Sequence, residues 1–222
     1  MNFSAILFDC DGVLVDSETI YMEVEQEHLS RLGLTYSLLD YQQRFVGLTS
    51  VDFYKAIEDD YAALGKGPFP QGFAEELDRA ARERMDRDLV AVDGIKPLLE
   101  VVQGPKAVAS STRLSRLNEK LRQTGLHSYF DPHIYSGEQV RNGKPAPDLF
   151  LFAAANLQVP PKECLVVEDS TNGVRADCAA GMTVWGFTGG SHADDALKER
   201  LLKAGAAEVH AGHDDLARRL RS

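Results

Sequence analysis

Short, mostly apolar runs recur along this chain, each ending in a burst of polar residues. They are Ala5-Ile6-Leu7-Phe8, Lys106-Ala107-Val108-Ala109, Cys164-Leu165-Val166-Val167 and the stretch from Met182 to Phe187. Runs that do not alternate with polar positions predict strands covered on both faces, as in a parallel sheet. Helical periodicity fills the space between and after them, at 149–157, from Val174 to Ala180, near 194–204 and in a terminal helix, with one more short strand at 207–210. Residues 18–88 contain no strand-like run. They read as helices at 18–32, 38–46, 50–63 and 73–88, broken by the Gly/Pro-rich stretch from Leu64 to Gly72. Alternation resumes after Asp93-Gly94, so the chain is of the α/β class, with an all-helical insert after the first strand. There is no internal repeat, and Trp185, on an apolar strand, reads as core.

The polar ends of the runs carry the chemistry. Asp9 and Asp11 follow the first run in Asp9-Cys10-Asp11-Gly12, and ligands of open parallel sheets sit beyond the carboxyl ends of the strands. Two carboxylates this close persist when a cation neutralises them or one holds a proton. An Asp/Gly turn would leave the same string. An EF-hand would not, since its glycine stands sixth and here it is fourth. The second run leads into Ser110-Ser111-Thr112, which reads either as a helix N-cap or as an anion site. In Asn142-Gly143-Lys144-Pro145 a lysine is held between a glycine and a proline, where it can meet a phosphate as a point charge. The third long run ends in Glu168-Asp169-Ser170, a second acidic pair at the same edge. Carboxylates without a His or Cys cluster favour a hard cation, Mg²⁺ before Zn²⁺.

Composition narrows the partners. With 24 basic and 34 acidic residues the net charge is -10, which disfavours nucleic acid and anionic membranes. No apolar stretch approaches the roughly 20 residues of a spanning helix, and the chain enters a strand with no signal peptide, so a cytoplasmic location is expected. A monomer is expected as well, because no apolar surface stripe is left over. Cys10, Cys164 and Cys178 cannot all pair; each lies in a predicted core element or turn and is read as a reduced thiol. The six histidines show no metal spacing, and His210 and His213 fall in a Gly/Asp-containing segment that reads as surface.

Taken in order, DxDGVLVDS, ASST, GKPAPD and VVEDS resemble the motifs of the haloacid dehalogenase superfamily, in its phosphatase and phosphoglucomutase branch, and bacterial 6-phosphogluconate phosphatases in particular. The resemblance implies a Rossmann-like core of residues 1–17 and 90–222 and a helical cap of 18–89. It implies Asp9 as the aspartyl nucleophile, Asp11 as general acid and base, and Lys144 as the balancing cation. Ser110 and Ser111 would bind phosphate, and Gly47 would anchor the cap segment that reaches substrate. Asp169, Glu168, Asp9 and the Asp11 backbone carbonyl would hold Mg²⁺. The implied activity is hydrolysis of a small phosphorylated metabolite, with a mutase or a non-catalytic binding protein as alternatives. A dehalogenase is disfavoured by Asp11 and the Glu168-Asp169 pair. Mutases of the branch carry a His and an Arg where this chain has Tyr21 and Ser50.

Overall fold

The computed structural model describes residues 3–45 and 50–222. In chain order, β1 (Ala5–Phe8) is followed by four helices, α1 (Ser17–Leu32), α2 (Leu38–Phe45), α3 (Ser50–Ala63) and α4 (Phe73–Asp88). The chain continues as α5 (Ile95–Val101), β2 (Lys106–Ser110), α6 (Leu114–Gln123), β3 (Ile134–Ser136), α7 (Asp148–Leu157), β4 (Cys164–Glu168), α8 (Thr171–Ala179), β5 (Thr183–Phe187), α9 (Leu197–Ala204), β6 (Glu208–His210) and α10 (His213–Arg221). It divides into two compact units, Met1–Glu18 with Leu89–Ser222, and Thr19–Asp88. Among the described residues, no helix is long and apolar enough to cross a membrane.

The first unit is built on a parallel sheet of order β3-β2-β1-β4-β5-β6. Strands β1 and β4 are buried along their whole length, which is why they read as solid apolar runs. Ala5, Leu7, Ala107, Ala109, Cys164 and Val166 share one core cluster with Leu149, Phe150, Ala153 and Leu157 of α7. On β5, Val184 packs against Leu197 and Leu201 of α9. The strand order reverses direction between β1 and β4, and a doubly wound sheet opens a crevice at the carboxyl ends of such a pair.

After β1 the chain turns tightly, with Leu14 N and Val15 N both donating to the Cys10 carbonyl and Gly12 N to that of Val15. Gly12 sits at φ 77°. The segment then lies beside residues 90–92, where Asp16 N donates to Val90 O at 3.0 Å and Val92 N to Leu14 O at 3.0 Å. The points where the chain leaves and re-enters the first unit are thereby tied to each other.

The second unit has its own core, with Leu29, Tyr41, Ile57, Leu77 and Met85 buried. Phe45 joins it through edge contacts with Tyr36 and Phe53, at centroid distances of 5.1 and 5.4 Å. Arg84 of α4 pairs with Glu23 and Glu27 of α1.

Three expectations are corrected. His210 and His213 are buried, not surface residues. His210 hydrogen bonds Asp215 at 2.8 Å and packs on the buried Trp185 ring; His213 donates to the Asp93 carbonyl at 2.9 Å and stacks on Phe187. The Gly/Asp composition marked a backbone turn and said nothing of where its flanking rings point. Cys178 is exposed, lying on the outer face of α8, whereas Cys10 and Cys164 are buried; all three thiols are free. The Ser110–Thr112 cluster does not cap α6, whose N-cap is Arg113 with no side-chain bond.

On the inner face of α8, Asp177 is fully buried, and neither carboxylate oxygen has a hydrogen-bond partner among the described residues. Burial, reinforced by the Glu168 charge, pushes its pKa well above the ordinary value. The folded chain therefore keeps a proton that the unfolded chain releases, and this group's contribution to stability is lost as pH rises above the ordinary carboxylate range. Asp177→Ala is expected to stabilise the protein by about 2 kcal/mol near neutral pH, a rise of roughly 4–8 °C in Tm, with a smaller gain near pH 5. Thermal melts of the two proteins at both pH values measure the difference; a lower Tm for the variant at neutral pH would contradict it.

Candidate active site

The sheet delivers its acids from adjacent strands. Asp9 follows β1 directly, and its backbone N–H donates to Val167 O of β4 at 3.0 Å. Glu168 is the last residue of β4 and Asp169 follows it. All three carboxylates are buried, and each offers an oxygen within 4.8 Å of the others. Two glycines make the room. A Cβ on Gly12 would lie 1.9 Å from Asp169 Oδ2, and one on Gly173 would lie 2.0 Å from the Glu168 carboxyl.

Lys144 answers this negative charge. Its Nζ donates to Asp9 Oδ1 at 2.6 Å and to Glu168 Oε2 at 2.7 Å, and it stands 4.9 Å from the centre of the Phe150 ring. Burial opposes the ammonium, but the Asp9 and Glu168 charges outweigh it and hold the Lys144 pKa above its usual value. Glu168 Oε1 accepts from Ser170 N at 2.9 Å and Ser170 Oγ at 2.7 Å. Asp9 is pushed up by burial, against the pull of Lys144 and with a further push from Glu168, Asp169 and Asp11. Burial likewise raises Asp169 to about 6. A site in which burial and neighbouring negative charge raise Asp9 and Asp169, and whose donors are all oxygen, fits a hard divalent cation such as Mg²⁺. Asp9, Glu168 and Asp169 are the residues that could hold one.

Asp11 stands apart from that triad. Ser17 Oγ and Lys120 Nζ both donate to its Oδ1, and Thr112 Oγ1 donates to Oδ2 at 2.7 Å. Burial alone would raise this carboxyl, yet the Lys120 charge and the hydrogen bonds prevail and lower it below the ordinary value. Buried Ser110, at the end of β2, accepts from Thr112 N through Oγ at 3.0 Å, while Ser111 is exposed. Gly47 lies outside the described residues.

The sequence reading omitted Lys120 and His192. Lys120 sits in the middle of α6 with nothing in its neighbourhood to mark it. His192, buried after Gly189-Gly190-Ser191, places Nε2 3.2 Å from Asp169 Oδ2. A Cβ on Gly190 would meet Gly12 O at 2.7 Å, so this loop is pressed onto the Gly12 turn. Paired glycines were the one available signal of such close backbone approach.

The chain is similar to proteins already known. The chain is 31% identical over 193 residues to the 6-phosphogluconate phosphatase of Escherichia coli K12, covering 86% of this chain and 85% of that protein. A crystal structure of a conserved haloacid dehalogenase-like protein from Agrobacterium tumefaciens matches with a TM-score of 0.92 at 36% identity, over 99% of this chain and 98% of the other. A HAD family hydrolase from Deinococcus radiodurans, solved with bound phosphate and sodium, matches with a TM-score of 0.83 at 35% identity, over 96% and 93%. The family model for haloacid dehalogenase-like hydrolases spans residues 3–181. The chain belongs to the haloacid dehalogenase-like hydrolases.

Proposed function

We propose that this hydrolase is a magnesium-dependent phosphatase of small phosphorylated metabolites, with a sugar phosphate or a sugar-acid phosphate such as 6-phosphogluconate as its substrate class. The reading rests on one observation: Lys144 bridges Asp9 and Glu168 at the reversal of the sheet, with Asp169 beside them. The similarity to a 6-phosphogluconate phosphatase and to a hydrolase solved with phosphate supports it.

In the first half-reaction an Asp9 oxygen attacks phosphorus, the ester P–O bond breaks, and Asp11 gives a proton to the departing alkoxide. In the second, water attacks the aspartyl-phosphate and Asp11 takes its proton; Asp9 and inorganic phosphate are released. The proton gained from water is the one Asp11 returns to the next leaving group. Lys144 neutralises charge on Asp9 and the phosphoryl group. Ser110 Oγ already accepts from Thr112 N, which leaves its O–H to donate to a phosphoryl oxygen, with Ser111 beside it. Asp9, Asp169, Glu168 and the Asp11 carbonyl would hold Mg²⁺, which when bound adds positive charge at the phosphoryl oxygens. We assign the helical unit, with Gly47, to selection of the leaving group.

A mutase must retain a second phosphate, which needs a cationic anchor. Tyr21 and Ser50 stand where the mutase pattern has its cations, so hydrolysis is preferred. A binding-only role is set aside because the chain keeps every residue the chemistry would need, Asp9, Asp11 and Lys144 among them.

Asp9→Asn is expected to abolish phosphate release while leaving the circular dichroism spectrum unchanged, since the amide keeps the shape and loses the nucleophile; activity near wild type would remove the covalent route. EDTA should silence the enzyme and Mg²⁺ restore it, and Asp169→Ala should raise the Mg²⁺ needed for half-activation by at least about tenfold. Turnover that persists in EDTA would exclude the metal. A phosphate-release screen over sugar and sugar-acid phosphates should show free phosphate from a monophosphate with no bisphosphate activator; conversion of β-glucose 1-phosphate to glucose 6-phosphate with little free phosphate would favour the mutase.

A further inference from the structure

A lysine on the inner face of a helix is costly unless it is paired. Lys120 shares that face of α6 with Leu117 and Leu121, and its side chain is only 3% exposed. Its ammonium reaches across the fold to Asp11, 109 positions earlier in the chain. Together with Ser17 and Thr112 it engages both oxygens of that carboxylate from three separate segments: the start of α1, the end of the β2 loop and the middle of α6. The loop carrying Asp11 is itself held by backbone bonds from Gly12, Leu14 and Val15.

We propose that Lys120 is a positioning residue that works through Asp11. It holds the Asp11 carboxylate in the orientation that the second half-reaction needs, as the third of three donors that fix it. The proposal rests on the acid–base reading of Asp11 given above. In that half-reaction a water O–H bond breaks and its proton passes to Asp11. The water oxygen bonds to phosphorus, and the bond between phosphorus and Asp9 breaks. A carboxylate left with only two hydroxyl donors can rotate, and water attack slows. The first half-reaction on a good leaving group, which departs without needing a proton, is spared.

The test is rapid-quench kinetics with p-nitrophenyl phosphate and Mg²⁺ on wild type, Lys120→Met, Lys120→Arg, Asp11→Asn and Asp9→Asn. Lys120→Met should give a burst of about one p-nitrophenolate per enzyme followed by a steady state at least about tenfold slower than wild type, with KM lowered in proportion and kcat/KM changed by less than about twofold. Lys120→Arg should recover much of the steady-state rate, because it restores the charge. Asp11→Asn should show the same burst and a slower steady state than Lys120→Met. A steady-state rate in Lys120→Met within about threefold of wild type, alongside a slow Asp11→Asn, would overturn the role of Lys120 and leave the acid–base reading standing. Loss of burst amplitude in step with the rate would make Lys120 a purely structural residue and overturn the proposal. Wild-type turnover in Asp11→Asn, or a burst in Asp9→Asn, would instead overturn the reading on which it rests.

Discussion

Three buried carboxylates compete for one small volume, and a single ammonium sits among them. Isolated, each of Asp9, Glu168 and Asp169 would be expensive to keep charged in that setting. Lys144 binds two of them directly, His192 contacts the third, and Ser170 occupies the remaining oxygen of Glu168. The surrounding architecture serves this concentration of charge. The strand order puts β1 beside β4, so acids that lie far apart in the chain end on neighbouring strands. Gly12 and Gly173 then vacate the space into which the carboxyl groups fit. Leaving an acidic centre short of positive charge is a cost in folding, and it is also what suits the centre to hold a hard cation.

A second cation–carboxylate pair stands beside the first and is organised differently. Lys144 is shared between two acids, whereas Asp11 accepts from three donors, Ser17, Thr112 and Lys120. Burial and mutual repulsion therefore push Asp9 up while Asp11 is drawn down. Two aspartates two residues apart thus acquire opposite protonation tendencies from their surroundings alone.

Much of this was legible in the sequence, for physical reasons that also mark where legibility ends. Strands β1, β2, β4 and β5 announced themselves because a parallel strand covered on both faces must be apolar throughout. The helices of the second unit were readable because amphipathic periodicity repeats over several turns. Strand β3, at Ile134–Ser136, was not read, and neither was α5. Asp9, Asp11, Glu168 and Asp169 were found because a strand end fixes its own next residues in space. Lys120 and His192 reach the same centre from a helix interior and a distant loop, where only tertiary contact gives them meaning. The surface reading of His210 and His213 failed for a related cause: a turn's composition describes its backbone and leaves the burial of its neighbours undetermined.

The backbone bonds that join residues 14–16 to residues 90–92 bear on how this protein can change over evolutionary time. Because the two crossing points are stitched side by side within the first unit, everything from residue 19 to residue 88 is, to the sheet, a loop already closed at its base. The entropy of closing a loop grows only slowly with its length, and here the closure is enforced by hydrogen bonds that belong to the sheet-bearing unit. The helical unit can thus lengthen, shorten or exchange its side chains without disturbing the register of β1 against its neighbours. Selection can rework one unit while the acidic centre in the other stays fixed.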